Sequence, residues 1–142
     1  MTTSYRRWTL WVLAVLATYV GAWAMLAPRH WWDTFPGAGF RWLPMLGTYN
    51  EHLARDVGAL YAALAVLSAG AALRATDAHL SRLTGLVWLT FSIPHLIYHV
   101  AHLDHYQGID KLGNAVSLSL FVLLGAFLVV PARAPVPTTV RR

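Results

Sequence analysis

Three histidines recur at helical spacing in one apolar run of the chain. His95, His99 and His102 are spaced i, i+4 and i+7, which places them within about 60° of one another on a helix. Imidazole is a preferred ligand for zinc, copper, nickel and iron, and two imidazoles one turn apart can bind one ion. No glutamate follows His95, so this run lacks the general base of the helical metalloprotease motif.

A second group of ionisable residues precedes another apolar run. Glu51 and Arg55 are spaced i,i+4, and so are His52 and Asp56, so both pairs can interact along a helix. These side chains share an arc of the helical wheel with Gly58 and the alanines that follow, which predicts that the charged turn points into a helical bundle. On this prediction the lipid-facing side carries Leu53, Val57, Leu60 and Leu64. The alternative is that Arg55 only neutralises the two acids, which complement the helix dipole.

Four apolar stretches are long enough to position these groups in a membrane. The chain has 142 residues, of which 57% are hydrophobic and 12% charged, about half the charged fraction of a soluble domain. A helical crossing needs about 20 apolar residues, and we predict helices at about 8–27, 50–73, 83–103 and 112–130, followed by a tail at 131–142. The sequence therefore predicts an all-α, four-transmembrane-helix bundle in a single integral membrane domain. The first run is longer than a signal-peptide core, so we expect this helix to be retained.

Between the first two predicted helices lies an aromatic segment that contains Trp31, Trp32, Phe35, Phe40 and Trp42. Tryptophan is enriched at the level of the lipid headgroups, which favours an interfacial anchor. The alternative is a cap over a site below it.

The basic residues predict how the helices are oriented. Cytoplasmic loops carry an excess of Lys and Arg, and an even number of crossings places both termini on one side. That side holds Arg6, Arg7, Arg74, Arg82, Arg133, Arg141 and Arg142, against Arg29, Arg41, Arg55 and Lys111 on the other. We therefore predict a multi-pass protein of the bacterial cytoplasmic (inner) membrane with both termini cytoplasmic. The net charge of +5 is explained by this topology, and we expect no nucleic-acid partner.

This orientation places both ionisable groups at the extracytoplasmic ends of the second and third helices. Charged and imidazole groups at such positions are candidates for function. We predict a divalent metal site for zinc, copper or iron with its ligands drawn from His95, His99, His102, His52, Glu51 and Asp56. Arg55, Asn50 and Tyr98 are expected to support the ligands from outside. Cysteine ligation is impossible because the chain has no cysteine.

Three other functions remain open at this point. A haem b electron carrier could use His52 and His99 as axial ligands. A non-catalytic assembly subunit, as a homo-oligomer or within a membrane complex, would use the polar cluster only to lock the bundle. A proton-coupled transporter could use Glu51, His52 and Asp56. Whether the protein is an enzyme is left undecided by the sequence.

Residues 49–61 and 94–99 also carry a resemblance. Together they resemble a group of small four-helix bacterial integral membrane proteins of unassigned function, which are broadly DoxX-like. At the level of architecture the resemblance covers about residues 8–130. It implies a four-helix bundle and brings no catalytic residue to this chain.

Overall fold

A computed structural model describes residues 2–131 and is helical throughout this range, without strands. The helices are α1 (Thr3–Leu26), α2 (Pro28–Thr34), α3 (Glu51–Leu73), α4 (Ala78–Ala101) and α5 (Gly108–Val129), with short 3-10 turns at Leu43–Leu46 and Leu103–His105. All but α2 are long and apolar enough to cross a membrane. The predicted all-α bundle of four long helices is therefore confirmed. The predicted tail, apart from Pro131, lies outside the described residues.

The helices α1, α4 and α5 begin four or five residues before their predicted starts, whereas α3 begins within one residue of its own. The start of α4 gives the reason, because the Asp77 side chain accepts hydrogen bonds from the backbone N–H groups of His79 and Leu80 at 2.9 and 3.0 Å. A side-chain cap of this kind fixes where a helix begins. Hydropathy locates only the lipid-spanning part of a helix, so the polar first turn was missed.

The four long helices pack as two close pairs, α1 with α3 and α4 with α5. Glycines allow each close approach: a Cβ added at Gly58 would lie 2.6 Å from the backbone nitrogen of Met25, and one at Gly21 would lie 2.8 Å from that of Ala62. In the second pair, a Cβ at Gly85 would lie 2.7 Å from the carbonyl oxygen of Gly125. Small residues at helix crossings are typical of membrane bundles, where close van der Waals packing drives association.

Large aromatic side chains fill the space between the two pairs. Trp88 of α4 is fully buried, and its Nε1 donates to the Ser68 hydroxyl of α3 at 2.9 Å. Its ring stacks on Phe121 of α5, with centroids 5.2 Å apart, and Tyr61 of α3 meets Phe91 edge to face at 5.2 Å. The pairs are thus joined mainly through side chains rather than through close backbone contact.

The prediction that the charged turn of α3 points into the bundle is wrong, whereas Leu53 and Leu60 are exposed as predicted. The buried side of this helix carries Ala54, Gly58, Tyr61, Leu64 and Ala65, whereas the charged residues of the first turns are exposed. The prediction grouped charged and small residues on one inward arc. Gly58 and Ala62 do face α1, whereas Ala59 and Ala63 are exposed. The charged turn lies at the end of the helix, where side chains can reach water without a desolvation cost.

Candidate functional site

A cavity of about 330 Å³ lies between the two helix pairs, in the half of the bundle that contains the predicted site. Every long helix contributes to its wall, and the aromatic segment closes it at the end of the bundle. The lining is almost entirely apolar. Its polar side chains are Tyr19, Tyr61, His95, His99, Asn114 and Ser117, together with the indole groups of Trp31, Trp32 and Trp42.

The inner end of the cavity is closed by aromatic rings. Tyr61 and Phe121 line it, and both pack against Trp88, with ring centroids 6.4 and 5.2 Å away. The cavity therefore stops near the middle of the bundle and does not form a continuous pore through this packed layer.

The outer end is covered by residues 31–46, which include the second half of α2 and the first 3-10 turn. Trp31, Trp32, Phe35 and Trp42 from this segment line the cavity, and Trp31 packs against Phe35 with ring centroids 5.8 Å apart. The segment is thus a cap over the cavity. Of the two predictions for it, the structure bears out the cap, and tryptophans at this level are equally compatible with an interfacial position.

Trp42 fastens the cap to the start of α5. Its Nε1 donates to the Asp110 carboxylate at 2.9 Å, and its carbonyl oxygen accepts from the Tyr106 hydroxyl at 3.1 Å. The indole lies against Gly113, where an added Cβ would be 2.9 Å from the ring. Burial raises the pKa of Tyr106 to about 12, so its hydroxyl stays protonated and can donate at physiological pH.

Three side chains that line the cavity have a buried polar atom without a hydrogen-bond partner among residues 2–131. They are Trp31, at Nε1, and the adjacent His99 and Asn114, at Nδ1 and Oδ1. His99 is 7% exposed and Asn114 is 2% exposed, and the two side chains lie next to each other. Buried polar groups are almost always hydrogen-bonded, so this pair is the most unusual polar feature of the wall.

His95 lies one turn before His99 and faces it. The two imidazole centroids are 4.6 Å apart, and the opposite side of His95 stacks on Phe91 at 5.1 Å. The helical spacing therefore correctly brought His95 and His99 to one wall of one cavity.

The other predicted ligands do not join them. His52 contacts Asp56 at 3.5 Å, and their side chains are 87% and 61% exposed. His102 points its Nδ1 at the carbonyl oxygen of Tyr98, 2.7 Å away. Among residues 2–131, no group of three or more His, Asp or Glu side chains is arranged to hold a metal ion. This geometry does not bring the six predicted ligands together, and the metal site they would form stays a prediction.

The contacts of Arg55 are not those expected of a residue that supports a metal site. It pairs with Glu51, with Nη2 2.9 Å from Oε1, and its Nη1 donates to the carbonyl oxygen of Met25 at 2.6 Å. Met25 lies in the last turn of α1, whose carbonyls have no partner within the helix. Arg55 therefore ties the start of α3 to the end of α1.

The two remaining supporting residues also have local contacts. Asn50 caps α3 by accepting from the backbone N–H of Leu53 at 3.0 Å. Tyr98 stacks on His102, with ring centroids 4.2 Å apart. Their contacts orient a helix end and an imidazole ring, respectively.

Pro94 lies inside α4, as the sequence predicts. Pro94 leaves the carbonyl of Thr90 without its helical donor, and nearby hydroxyls such as that of Ser92 could in principle bond it. The Ser92 hydroxyl instead donates to the carbonyl oxygen of Trp88. A serine in a helix bonds most easily to the carbonyl four residues earlier, which explains the difference.

From sequence, Asn114 and Ser117 near the outer end of the fourth predicted helix could hydrogen-bond into the histidine cluster, but such residues more often only join helices. A lone Asn near a helix end usually serves as a contact between helices, and its identity alone does not show an unsatisfied oxygen. Ser117, one turn later, bonds the carbonyl of Asn114 at 3.1 Å. The one available signal was that both residues lie on the same side of the predicted fourth helix.

Comparison with known proteins finds no matching family model, curated protein or solved structure.

Proposed function

We propose that this multi-pass membrane protein binds a small, largely apolar molecule bearing one hydroxyl group in the cavity beneath the cap. The observation that carries the proposal is the adjacent pair of buried, unpartnered atoms, His99 Nδ1 and Asn114 Oδ1, on an otherwise apolar wall. Ligand sites are typically apolar cavities of about 300–1,000 Å³ with a few polar groups that fix orientation.

The polar pair selects the chemistry of the ligand. Oδ1 of Asn114 can only accept a hydrogen bond, so the group next to it must donate. Nδ1 of His99 accepts or donates according to its tautomer. A hydroxyl satisfies both atoms at once, and leaving a buried polar atom unpaired costs about 1–3 kcal/mol. The rings of Trp31, Phe35 and Phe121 on the wall favour a flat apolar body.

A matched pair of probes tests this proposal. 1-Naphthol and naphthalene share a ring system and differ in one hydroxyl. The assay is quenching of tryptophan fluorescence in nanodiscs, corrected for partition of each probe into protein-free discs. We expect 1-naphthol to quench at a concentration at least about tenfold lower than naphthalene, because one satisfied polar pair is worth more than about 1.4 kcal/mol.

The control variants are N114L and H52A. Leu has the same number and branching of side-chain heavy atoms as Asn without its polar atoms, so N114L should remove the preference for 1-naphthol while naphthalene binding persists. His52 is exposed outside the cavity, so H52A should behave like the wild type. Equal affinity of the wild type for both probes would show that water alone satisfies the pair, and would reject the proposal.

A divalent metal is the second candidate occupant, and the facing imidazoles of His95 and His99 favour it. They would supply two nitrogen ligands, with water or a ligand atom completing the shell. In a variant that lacks His102 and His105, elemental analysis after loading with copper, zinc or iron tests this function, and adding H95A/H99A in that background should lose the ion. A metal-free wild type after loading would reject it. The haem alternative finds less support, because His52 is directed to Asp56 and solvent rather than to the cavity.

The cellular setting is also a proposal. The excess of basic residues on the side of the termini supports a bacterial inner-membrane protein with both termini cytoplasmic. The cavity would then lie in the extracytoplasmic half of the bundle. A ligand from the outer leaflet or the periplasm would meet the cap first. Binding need not imply catalysis, and an assembly or transport role would use the same cavity.

A further inference from the structure

Two imidazoles at the end of α4 differ from those in the cavity in the hydrogen bonds of their Nδ1 atoms. His102 directs Nδ1 to the carbonyl oxygen of Tyr98 at 2.7 Å, and His105 directs Nδ1 to that of His102 at 3.1 Å. A carbonyl oxygen can only accept, so each Nδ1 must carry the proton. In the neutral ring this leaves the lone pair on Nε2, the state of a metal-binding histidine.

Further contacts hold the two rings in place. Tyr98 stacks on His102 with ring centroids 4.2 Å apart. The Asp104 carboxylate lies 3.2 Å from Nδ1 of His105, and a carboxylate in this position fixes the tautomer and increases the basicity of a histidine ligand. Neither ring therefore depends on the metal for its orientation.

The spacing of the rings fits one shared ion. The centroids of His102 and His105 are 5.6 Å apart, with ring planes at 36°. Two imidazoles on one metal have centroids roughly 5–6 Å apart, because each nitrogen lies about 2 Å from the ion. The His105 side chain is 44% exposed, so an ion can reach the pair from solvent and retain water ligands.

We propose that His102 and His105 form a two-histidine site for a divalent transition metal at the end of α4, with Asp104 as a positioning residue. Copper(II) should bind more tightly than zinc, since nitrogen sites follow that order. The site is separate from the cavity and does not depend on the proposed ligand. It also differs from the sequence-based ligand set, which did not include His105.

The test is titration of full-length protein, purified without a polyhistidine tag, with copper(II) and then zinc. We expect one tight equivalent of copper(II) whose electron paramagnetic resonance spectrum shows two nitrogen ligands. H102Q and H105Q should each weaken binding more than about tenfold. D104N keeps both ligands and should weaken it by about tenfold, the lower end of the effect of losing a supporting carboxylate.

Two controls separate this site from other histidines. H52A removes an exposed histidine with its own carboxylate neighbour and should leave the affinity unchanged. H95A/H99A removes the cavity pair and should also leave it unchanged. Melting temperatures without metal show that each variant folds. Wild-type affinity in H102Q/H105Q, or loss of the tight equivalent in H52A or H95A/H99A, would overturn the proposal.

Discussion

Two arginines show how single side chains fix the ends of a helix pair. Arg6 of α1 is buried, and its Nη1 donates to the carbonyl oxygen of Ala75 at 3.0 Å, just beyond the end of α3. At the opposite end of the same pair, Arg55 of α3 donates to the carbonyl oxygen of Met25 in α1. Each arginine thus satisfies a carbonyl at the negative end of the antiparallel neighbour, where cations are stabilised.

These contacts predict a structural role for Arg55. The R55A variant should lower the free energy of unfolding by about 1 kcal/mol, since a charged hydrogen bond is worth about 1.5–3 kcal/mol when buried and less when exposed. The side chain is 50% exposed, so the lower figure applies. Chemical denaturation in detergent, followed by circular dichroism, measures the change.

E51Q is the matched control for this prediction. Its amide oxygen can still accept from Arg55, and the bond to Met25 persists, so the loss should be smaller than in R55A. If Arg55 instead supported a metal ligand, R55A would weaken metal binding and leave the unfolding curve unchanged.

Asp77 predicts a dependence of stability on pH. The backbone N–H of Leu80, and next that of His79, hold the pKa of this carboxylate below its usual value of 3.8. A lowered pKa means that the charged form stabilises the fold above pH 3.8. That contribution is lost as the pH falls below this value through the lowered pKa.

The D77N and D77A variants separate charge from capping. Asn caps a helix about as well as Asp, so D77N should be slightly less stable than the wild type at pH 7 and nearly equal to it at pH 2. D77A should be the least stable at pH 7. Thermal unfolding across this pH range measures the difference, and a wild-type advantage over D77N that grows on acidification would contradict the assignment.

At the scale of helices, two glycines of α3 make a matched comparison. A Cβ at Gly58 would lie 2.6 Å from the backbone nitrogen of Met25, whereas one at Gly70 meets nothing within 4 Å. G58A should therefore destabilise the protein by about 1–3 kcal/mol through overpacking. G70A should stabilise it by up to about 1 kcal/mol, because Ala is the better helix former.

Denaturation of both variants under the same conditions checks this prediction. A similar response in G58A and G70A would mean that α1 and α3 are farther apart than described. The comparison tests helix pairing directly, because both residues lie in the same helix and receive the same substitution.

The helices themselves could be predicted from sequence, but their pairing could not. Apolar length identifies a span regardless of its neighbours, so all four spans were found. Gly58 and Gly85 mark close approaches, but nothing in their local sequence says that the partners are α1 and α5. The short polar connection between α3 and α4 indicates only that they form an antiparallel hairpin, and each of them packs more closely with another helix.

Only part of the candidate site could be predicted from the sequence. The spacing of His95 and His99 on one helix was sufficient to place them on one wall. His52 and Asp56 could not be placed, because residues at the polar end of a helix can turn to solvent. The side chain next to His99 is Asn114 on α5, and finding it requires knowledge of which helices meet.

At the scale of the whole molecule, the pairing explains why a cavity exists. Each pair is closed by glycine contacts, whereas the pairs meet through rings such as Tyr61, Trp88 and Phe121. These rings fill the middle of the bundle. The cavity lies beyond them, between the rings and the cap. The cavity therefore lies at the boundary between two closely packed helix pairs.

The orientation of the bundle in the membrane can be tested with single cysteines, because the chain has none of its own. Thr76 and Gln107 are exposed and lie in connections at opposite ends of α4. The excess of basic residues predicts that Thr76 is cytoplasmic and Gln107 extracytoplasmic. In intact spheroplasts, a membrane-impermeant maleimide should label Q107C and not T76C. Lysis should make T76C equally reactive, which controls for its exposure. Labelling of T76C alone before lysis would invert the topology and place the cap, the cavity and the His102–His105 pair on the cytoplasmic side.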